Sequence, residues 1–373
     1  MIGRRPRVLY IEPFEAGSHA QFGRTLRRHV DADWTCLTLP GRHWKWRARG
    51  SAVWFARAHA ATLRAPFDVL LASAYLPLAD LLALHPGLAQ RPRWLYFHEN
   101  QLAYPVRDEQ TGERDFHFGF TQLVSALAAT RCFFNSAWNR DSFLNEGARL
   151  LSRLPDAVPE GWIDDIRARS EVLAVPLDLP AVPLVGDEGP REAGPIVLWN
   201  HRWEYDKDPE AFFGALFALA EQGVPFRVAV CGERFRKAPT IFAEAQVRLA
   251  GRVVHWGHLA DRAAYEALLG RCHLAVSTAR HEFFGVAALE AAHFGARPLV
   301  PDRLAYPETM PAEYRYAEGE LVPTLAALCR AWTAGALTLR ADRRALTAPF
   351  GAPLLARYRA LIAEACDAAE GDR

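Results

Sequence analysis

Short apolar runs alternate with stretches of helical periodicity from one end of the chain to the other. That alternation is the pattern of parallel strands joined by crossover helices, and it predicts an α/β fold. In the first half the strands are expected at residues 8–11, 69–72, 94–97, 132–134 and 172–175. In the second half they are expected at 196–199, 227–231, 253–255, 274–277 and 298–300. Between the two sets, residues 176–195 carry five prolines and three glycines with little periodicity, which marks a linker. The expected organisation is a Rossmann-like domain over 1–182 and a second over 183–348. Open parallel sheets bind ligands at the carboxyl ends of their strands, which here would line a central cleft between facing domains. A last helical stretch, 352–368, follows an already complete second domain, so 349–373 is expected to return to the first as a strap.

Composition narrows this picture. A chain of 373 residues exceeds one comfortable core, which agrees with two domains. The formal net charge of +1 gives no global attraction to nucleic acid, so any polyanion must meet a local patch. Such a patch exists: residues 34–67 contain no acid, yet hold Arg42, Lys45, Arg47, Arg49, Arg57 and Arg64. The six cysteines are scattered, mostly through apolar runs, and read as buried thiols rather than a zinc site, a redox pair or a secreted disulfide framework. With no apolar run of spanning length and no signal peptide, a cytoplasmic protein without a membrane partner is expected.

The most telling segment is Ser277-Thr278-Ala279-Arg280-His281-Glu282-Phe283-Phe284-Gly285-Val286-Ala287-Ala288-Leu289-Glu290-Ala291. Two glutamates flank a glycine turn that opens a helix, and the free N–H groups of Gly285 and Val286 at that helix end suit a diphosphate. Glu282 is placed to accept from sugar hydroxyls and Glu290 from a ribose. An exposed loop carboxylate and an ordinary helix glutamate fit the spacing as well. Directly after strand 196–199 comes His201-Arg202-Trp203-Glu204-Tyr205-Asp206-Lys207-Asp208-Pro209-Glu210. Arg202 offers a planar fork and Lys207 a mobile point charge, the pair a departing diphosphate needs. A solvated charged turn, with Glu204, Asp206 and Asp208 pairing the cations, is the other reading.

In the first half, Gly17-Ser18 opens a helix after the first strand, with Ser18 read as its N-cap and Gln21 completing a capping box. Gly17 would let a ligand approach the backbone closely. Tyr96-Phe97-His98-Glu99-Asn100-Gln101 ends the third expected strand, with His98 the candidate for a sugar hydroxyl and Glu99 or Asn100 its orienting partner. Pro40-Gly41-Arg42-His43-Trp44-Lys45-Trp46-Arg47-Ala48-Arg49 interleaves cations with tryptophans, the paired tools of single-stranded RNA recognition. It fits a half-buried strand with solvated cations too. No Asp-x-Asp motif and no histidine ligand spacing points to a metal, so none is expected, and no cofactor either.

Taken together these residues resemble a known family. Arg202 with Lys207, then Glu282 and Glu290 around Phe284-Gly285, resemble the donor site of retaining GT-B glycosyltransferases. The longer runs Glu15-Ala16-Gly17-Ser18-His19, Pro40 to Arg49, Tyr96 to Pro105, His201 to Glu210 and His281 to Val286 resemble the tRNA-queuosine α-mannosyltransferase family over nearly the whole chain. The resemblance implies a GT-B architecture and a retaining transfer of mannose from GDP-mannose to queuosine in the anticodon loop of tRNA-Asp. It implies diphosphate binding by Arg202 and Lys207, donor contacts from Gly17, Ser18, Phe284, Gly285 and Val286, a ribose on Glu290, and mannose positioned by Glu282 and His98. The acceptor tRNA is expected on Arg42, His43, Trp44, Lys45, Trp46, Arg47, Arg49, Glu99 and Asn100. Other sugar nucleotides, a lipid or glycan acceptor, an epimerase, or a non-catalytic RNA-binding module on the same fold are the competing expectations.

Overall fold

A computed structural model of the chain describes residues 4–104, 116–181, 186, 190–234 and 238–371. The expected domain boundary at 182/183 and the Pro105 end of the motif beginning at Tyr96 lie outside the described residues. By backbone proximity the chain divides into two compact units, Met1–Asp178 together with Phe350–Arg373, and Leu179–Pro349.

The first unit carries β1 (Arg7–Glu15), β2 (Asp33–Pro40), β3 (Val69–Ser73), β4 (Arg93–Phe97), β5 (Arg131–Phe134) and β6 (Ser170–Val172), in the order β2-β1-β3-β4-β5-β6. All its pairings are parallel. The second carries β7 (Ile196–Trp199), β8 (Arg227–Cys231), β9 (Val253–Gly257), β10 (Leu274–Val276), β11 (Arg297–Pro301) and β12 (Arg315–Tyr316), in the order β12-β11-β10-β7-β8-β9, again parallel throughout. The central strands were legible as continuous apolar runs because helices cover both faces of a parallel sheet. Leu70, Leu95, Phe97 and Phe134 are buried on one such face, and Val197, Trp199, Val228 and Val230 on another.

Two edge strands escaped that pattern. β2 is only partly buried and mixes polar with apolar positions, and β12 is two residues long. β6 lies slightly before its expected place: Ser170 to Val172 form the ladder with β5, and the more apolar residues beyond continue with one bond, Leu173 N–H to Phe134 O.

The helix Ala352–Gly371 packs in the first unit, where Leu361 and Ile362 are buried and Tyr358 donates its hydroxyl to Ala174 O at 2.9 Å. Its ring also meets Phe22 edge-on at 5.9 Å.

Strand order sets where ligands meet each sheet. In the first unit the chain leaves β1 for the edge strand β2 and returns on the other side at β3, and in the second it leaves β7 for β8 and β9 and returns at β10. The crossovers after β1 and β3, and those after β7 and β10, therefore run in opposite directions, and such switch points at a sheet's carboxyl end are where open parallel sheets bind ligands.

Candidate active site

In the second unit, the loops after the neighbouring strands β7 and β10 are stitched together. Thr278 donates its hydroxyl to Lys207 O at 2.8 Å and Asp208 O at 2.9 Å, and the Arg280 and His281 N–H groups donate to Asp206 O. Asp208 sits in the left-handed region, φ 49°, and caps the helix Pro209–Glu221 by accepting from Ala211 N–H. Its other oxygen takes the Arg280 guanidinium at 2.7 Å.

This stitching delivers Lys207 to Glu282. The Lys207 ammonium donates to His281 O at 2.7 Å and lies 3.3 Å from both Glu282 Oε2 and Asp206 Oδ2. Burial alone would lower the Lys207 pKa, but Glu282 and Asp206 outweigh it and raise it. Glu282 Oε1 accepts from the N–H groups of Phe283, Phe284 and Gly285 at 3.1 to 3.4 Å, so the carboxylate caps the turn before the helix Val286–His293. Burial pushes its pKa up, yet Lys207, His201 and the Phe284 and Gly285 N–H groups together hold it at about 2.

The turn needs its glycine. Gly285 has φ 91°, and a Cβ there would meet the Tyr306 ring at 3.0 Å, while Tyr306 is itself fixed by a 2.6 Å bond to Ser277. Of the two N–H groups expected to face a diphosphate, that of Gly285 points at Glu282 in this structure, as does that of Phe284. Those of Val286 and Ala287 precede the first bonds of the helix, Ala288 N–H and Leu289 N–H to Gly285 O.

Arg202 is half exposed and paired with Glu204 at 3.1 Å. Glu290 is buried, and each of its oxygens has a partner the sequence did not suggest: Arg262 Nη1 at 2.9 Å and the Tyr265 hydroxyl at 3.3 Å. Burial raises its pKa. Tyr265 is in turn held by Asn200, whose amide also donates to Ala287 O.

In the first unit a second constellation gathers at the carboxyl ends of β1, β3 and β4. Glu12 is fully buried, and its Oε1 accepts from Phe14 N–H at 2.8 Å and the Ser73 hydroxyl at 2.9 Å. Its Oε2 lies 3.0 Å from His19 Nδ1. On the far side of that ring, His19 Nε2 is 3.7 Å from Glu99 Oε2, and Glu99 takes the Tyr75 hydroxyl at 2.5 Å. Burial would discharge His19, but the two carboxylates outweigh it and push its pKa up to about 10. His98 stacks against His19 with centroids 4.0 Å apart and planes 34° apart. Burial and then the charge on His19 drive His98 well below its ordinary value, so its ring is neutral.

One ligating atom each from Glu12, His19 and His98 lies within 4.8 Å of the others. His19 already spends both ring nitrogens on Glu12 and Glu99, and its ring lies against that of His98 at a 34° tilt. The geometry fits an ion pair beside a neutral ring better than a metal centre.

The basic-aromatic run is helical, Trp44–Ala58, not the half-buried strand its alternation also allowed. Ala48 faces the interior, while Trp46 is 65% exposed and Trp54 45%. Trp44 packs its ring on Phe118 at 5.2 Å, and Arg49 lies over the same ring. Arg42, His43, Lys45 and Arg49 are exposed, and Arg47 reaches back to Pro40 O. Gly41 brings the start of this segment against Ala16, where a Cβ would stand 2.1 Å from the alanine methyl. The segment thus adjoins Gly17.

Residues 7–177 match the family model for the tRNA-queuosine α-mannosyltransferase N-terminal region, and residues 185–324 match that for glycosyl transferases group 1. A tRNA-queuosine α-mannosyltransferase of Drosophila melanogaster is 39% identical over 339 residues, 87% of this chain and 88% of that protein. The chain belongs to the tRNA-queuosine α-mannosyltransferase family. It is a glycosyltransferase, and its fold is GT-B: sucrose-phosphate synthase of Thermosynechococcus elongatus superposes with a TM-score of 0.68 at 16% identity, covering 98% of this chain and all of that one. HepE of Anabaena, solved with UDP and glucose, gives 0.66 at 14% identity over 98% and 100%.

For this family member three readings of single residues need correction. Ser18 is exposed and caps nothing: the helix Gly17–His29 begins two residues earlier than that cap would place it, after Ala16, and no side chain caps it. Asn100 is fully buried, its amide donating to Asn139 and Ser142 and its oxygen accepting from Ala103 N–H, so it braces the loop rather than His98. Glu99 orients His19, not His98. The sequence reading missed Glu12, His19, Tyr75 and Arg262 as parts of these constellations. A buried glutamate and histidine seven residues apart on opposite sides of a strand-to-helix turn were the one available signal for the first pair.

Proposed function

We propose that this enzyme transfers mannose from GDP-mannose to queuosine in the anticodon loop of tRNA-Asp, with retention, in the cytoplasm and without a metal. The observation that carries the acceptor is the exposed helix Trp44–Ala58, which offers rings to unstacked bases and cations to phosphates within the very region matched by the family's N-terminal model. Among the described residues no helix is long and apolar enough to cross a membrane.

On the donor side, Arg202 and Lys207 meet the diphosphate with the Val286 and Ala287 N–H groups, Glu290 holds the ribose, and Glu282 and His98 position the sugar. Arg202 and Lys207 neutralise the charge that grows on the leaving phosphate, the role a metal would otherwise take. The departing phosphate oxygen receives the acceptor proton on the same face, so catalysis rests on positioning and charge stabilisation.

Incubating the enzyme with queuosine-containing and queuosine-lacking tRNA and a panel of sugar nucleotides, followed by nucleoside mass analysis, tests the reading. Hexose on queuosine alone, from GDP-mannose alone, is expected. Hexose from another nucleotide would correct the donor, and no hexose on either tRNA would overturn the acceptor.

A further inference from the structure

We propose that His19, clamped between Glu12 and Glu99, is a positioning residue that fixes His98 against its ring and keeps His98 Nε2 available to a hydroxyl of the transferred sugar. The inference rests on the reading of His98 given above.

Three observations carry it. His98 is 6% exposed, and its Nε2 is buried with no hydrogen-bond partner among the described residues. A buried ring nitrogen left unsatisfied is costly, and a ligand hydroxyl relieves that cost. Second, three rings pack against the His98 ring: Phe22 edge-on at 4.8 Å, Tyr96 at 4.7 Å and His19 at 4.0 Å. Of these only His19 is tied down by charge, so its clamp sets the tilt of the wall. Third, the clamp spans three neighbouring strand ends: Glu12 and Ser73 bond across the β1/β3 divergence, and Tyr75 holds Glu99 after β4. The His98 backbone is fixed by β4 and by the Asn135 amide on its carbonyl, and the clamp on His19 then fixes the face against which its ring rests.

The electrostatics point the same way. The groups facing the pair are Glu12 from β1, Glu99 and Tyr75 from the loops after β4 and β3, and Tyr96 beneath His98. A charged His19 disfavours a second charge on the ring stacked against it, so His98 stays neutral and can accept or donate at Nε2.

The test compares His98→Ala, His19→Gln and Glu99→Gln, each checked for folding by circular dichroism. Readouts are kcat and KM for both substrates across pH, and long-range ¹H–¹⁵N spectra of the imidazoles. His98→Ala should abolish most transfer. His19→Gln should cut kcat about tenfold or more with little change in tRNA KM. It should also shift the His98 titration, and with it the acid limb of the kcat profile, to higher pH. Glu99→Gln leaves His19 charged by Glu12 and removes a nearby anion, so it should cut kcat and displace the His98 signals by less than His19→Gln while moving the limb slightly to lower pH, and those displaced signals decide the matter if His19→Gln does not fold. An inactive His98→Ala beside an unmoved limb and unmoved His98 signals in the folded variants would overturn the inference alone. Full activity in His98→Ala would instead overturn the role given to His98 in the proposed function.

Discussion

Lys207 and Glu282 stand 75 positions apart in sequence and 3.3 Å apart in space, and each is the other's chief charge partner. Their pairing joins the two loops where β7 and β10 diverge. The donor site proposed for this pair, Lys207 on the diphosphate and Glu282 on the sugar, is thus also a structural joint.

Replacement of Lys207 by alanine tests both halves of that statement. It leaves Glu282 and Asp206 buried without their cation, which costs about 3–5 kcal/mol. Thermal melting should fall clearly, and transfer should drop about 100-fold or more as the leaving phosphate loses a cation. Near-normal turnover in a folded variant would remove Lys207 from the clamp.

Acid should loosen the second unit in a defined window. The Glu282 pKa of about 2 in the fold lies below the ordinary 4.5, so its contribution is present above pH 4.5 and is lost as the pH falls from there towards 2. The full effect is about 3 kcal/mol. Urea unfolding at pH 7 and pH 3 should show a smaller difference between the two for Glu282→Gln than for the parent. An equal difference would mean that other groups carry the acid sensitivity.

Trp46 and the cations beside it should matter for tRNA and not for the donor. Trp46→Ala should weaken binding of the anticodon stem-loop by about 1–3 kcal/mol. Arg47→Glu with Arg49→Glu should weaken it further and flatten the salt dependence. Donor hydrolysis measured without tRNA should stay at the parent rate. Unchanged affinity in both variants would take the acceptor off this helix.

Gly285→Ala introduces a side chain at φ 91° against Tyr306, with a cost of about 1–3 kcal/mol. Because the turn carries Glu282 and the start of the helix Val286–His293, donor KM should rise while tRNA affinity holds. A donor KM equal to the parent's would show that the turn tolerates the methyl.

What the sequence made legible follows from physics. Strands buried on both faces write themselves as apolar runs, so the centres of both sheets could be read. β2 and β12, at the edges, could not. Arg202, Lys207, Glu282 and Glu290 were readable as chemistry because each follows a strand or opens a helix. Their partners were not: Arg262 meets Glu290 across 28 residues, and Glu12 becomes fully buried only once Ser73 and His19 close over it. Ser18 illustrates the opposite error, since capping chemistry fits a serine at that spot while the left-handed Gly17 starts the helix sooner.

The return of Phe350–Arg373 to the first unit gives the two units different histories during synthesis. Leu179–Pro349 is one unbroken segment and can fold as it leaves the ribosome. The first unit, though translated earlier, lacks Tyr358, Leu361 and Ile362 until the last stretch emerges, so Phe22 and Ala174 wait without Tyr358 through the making of the whole second unit. The half that is begun first is finished last.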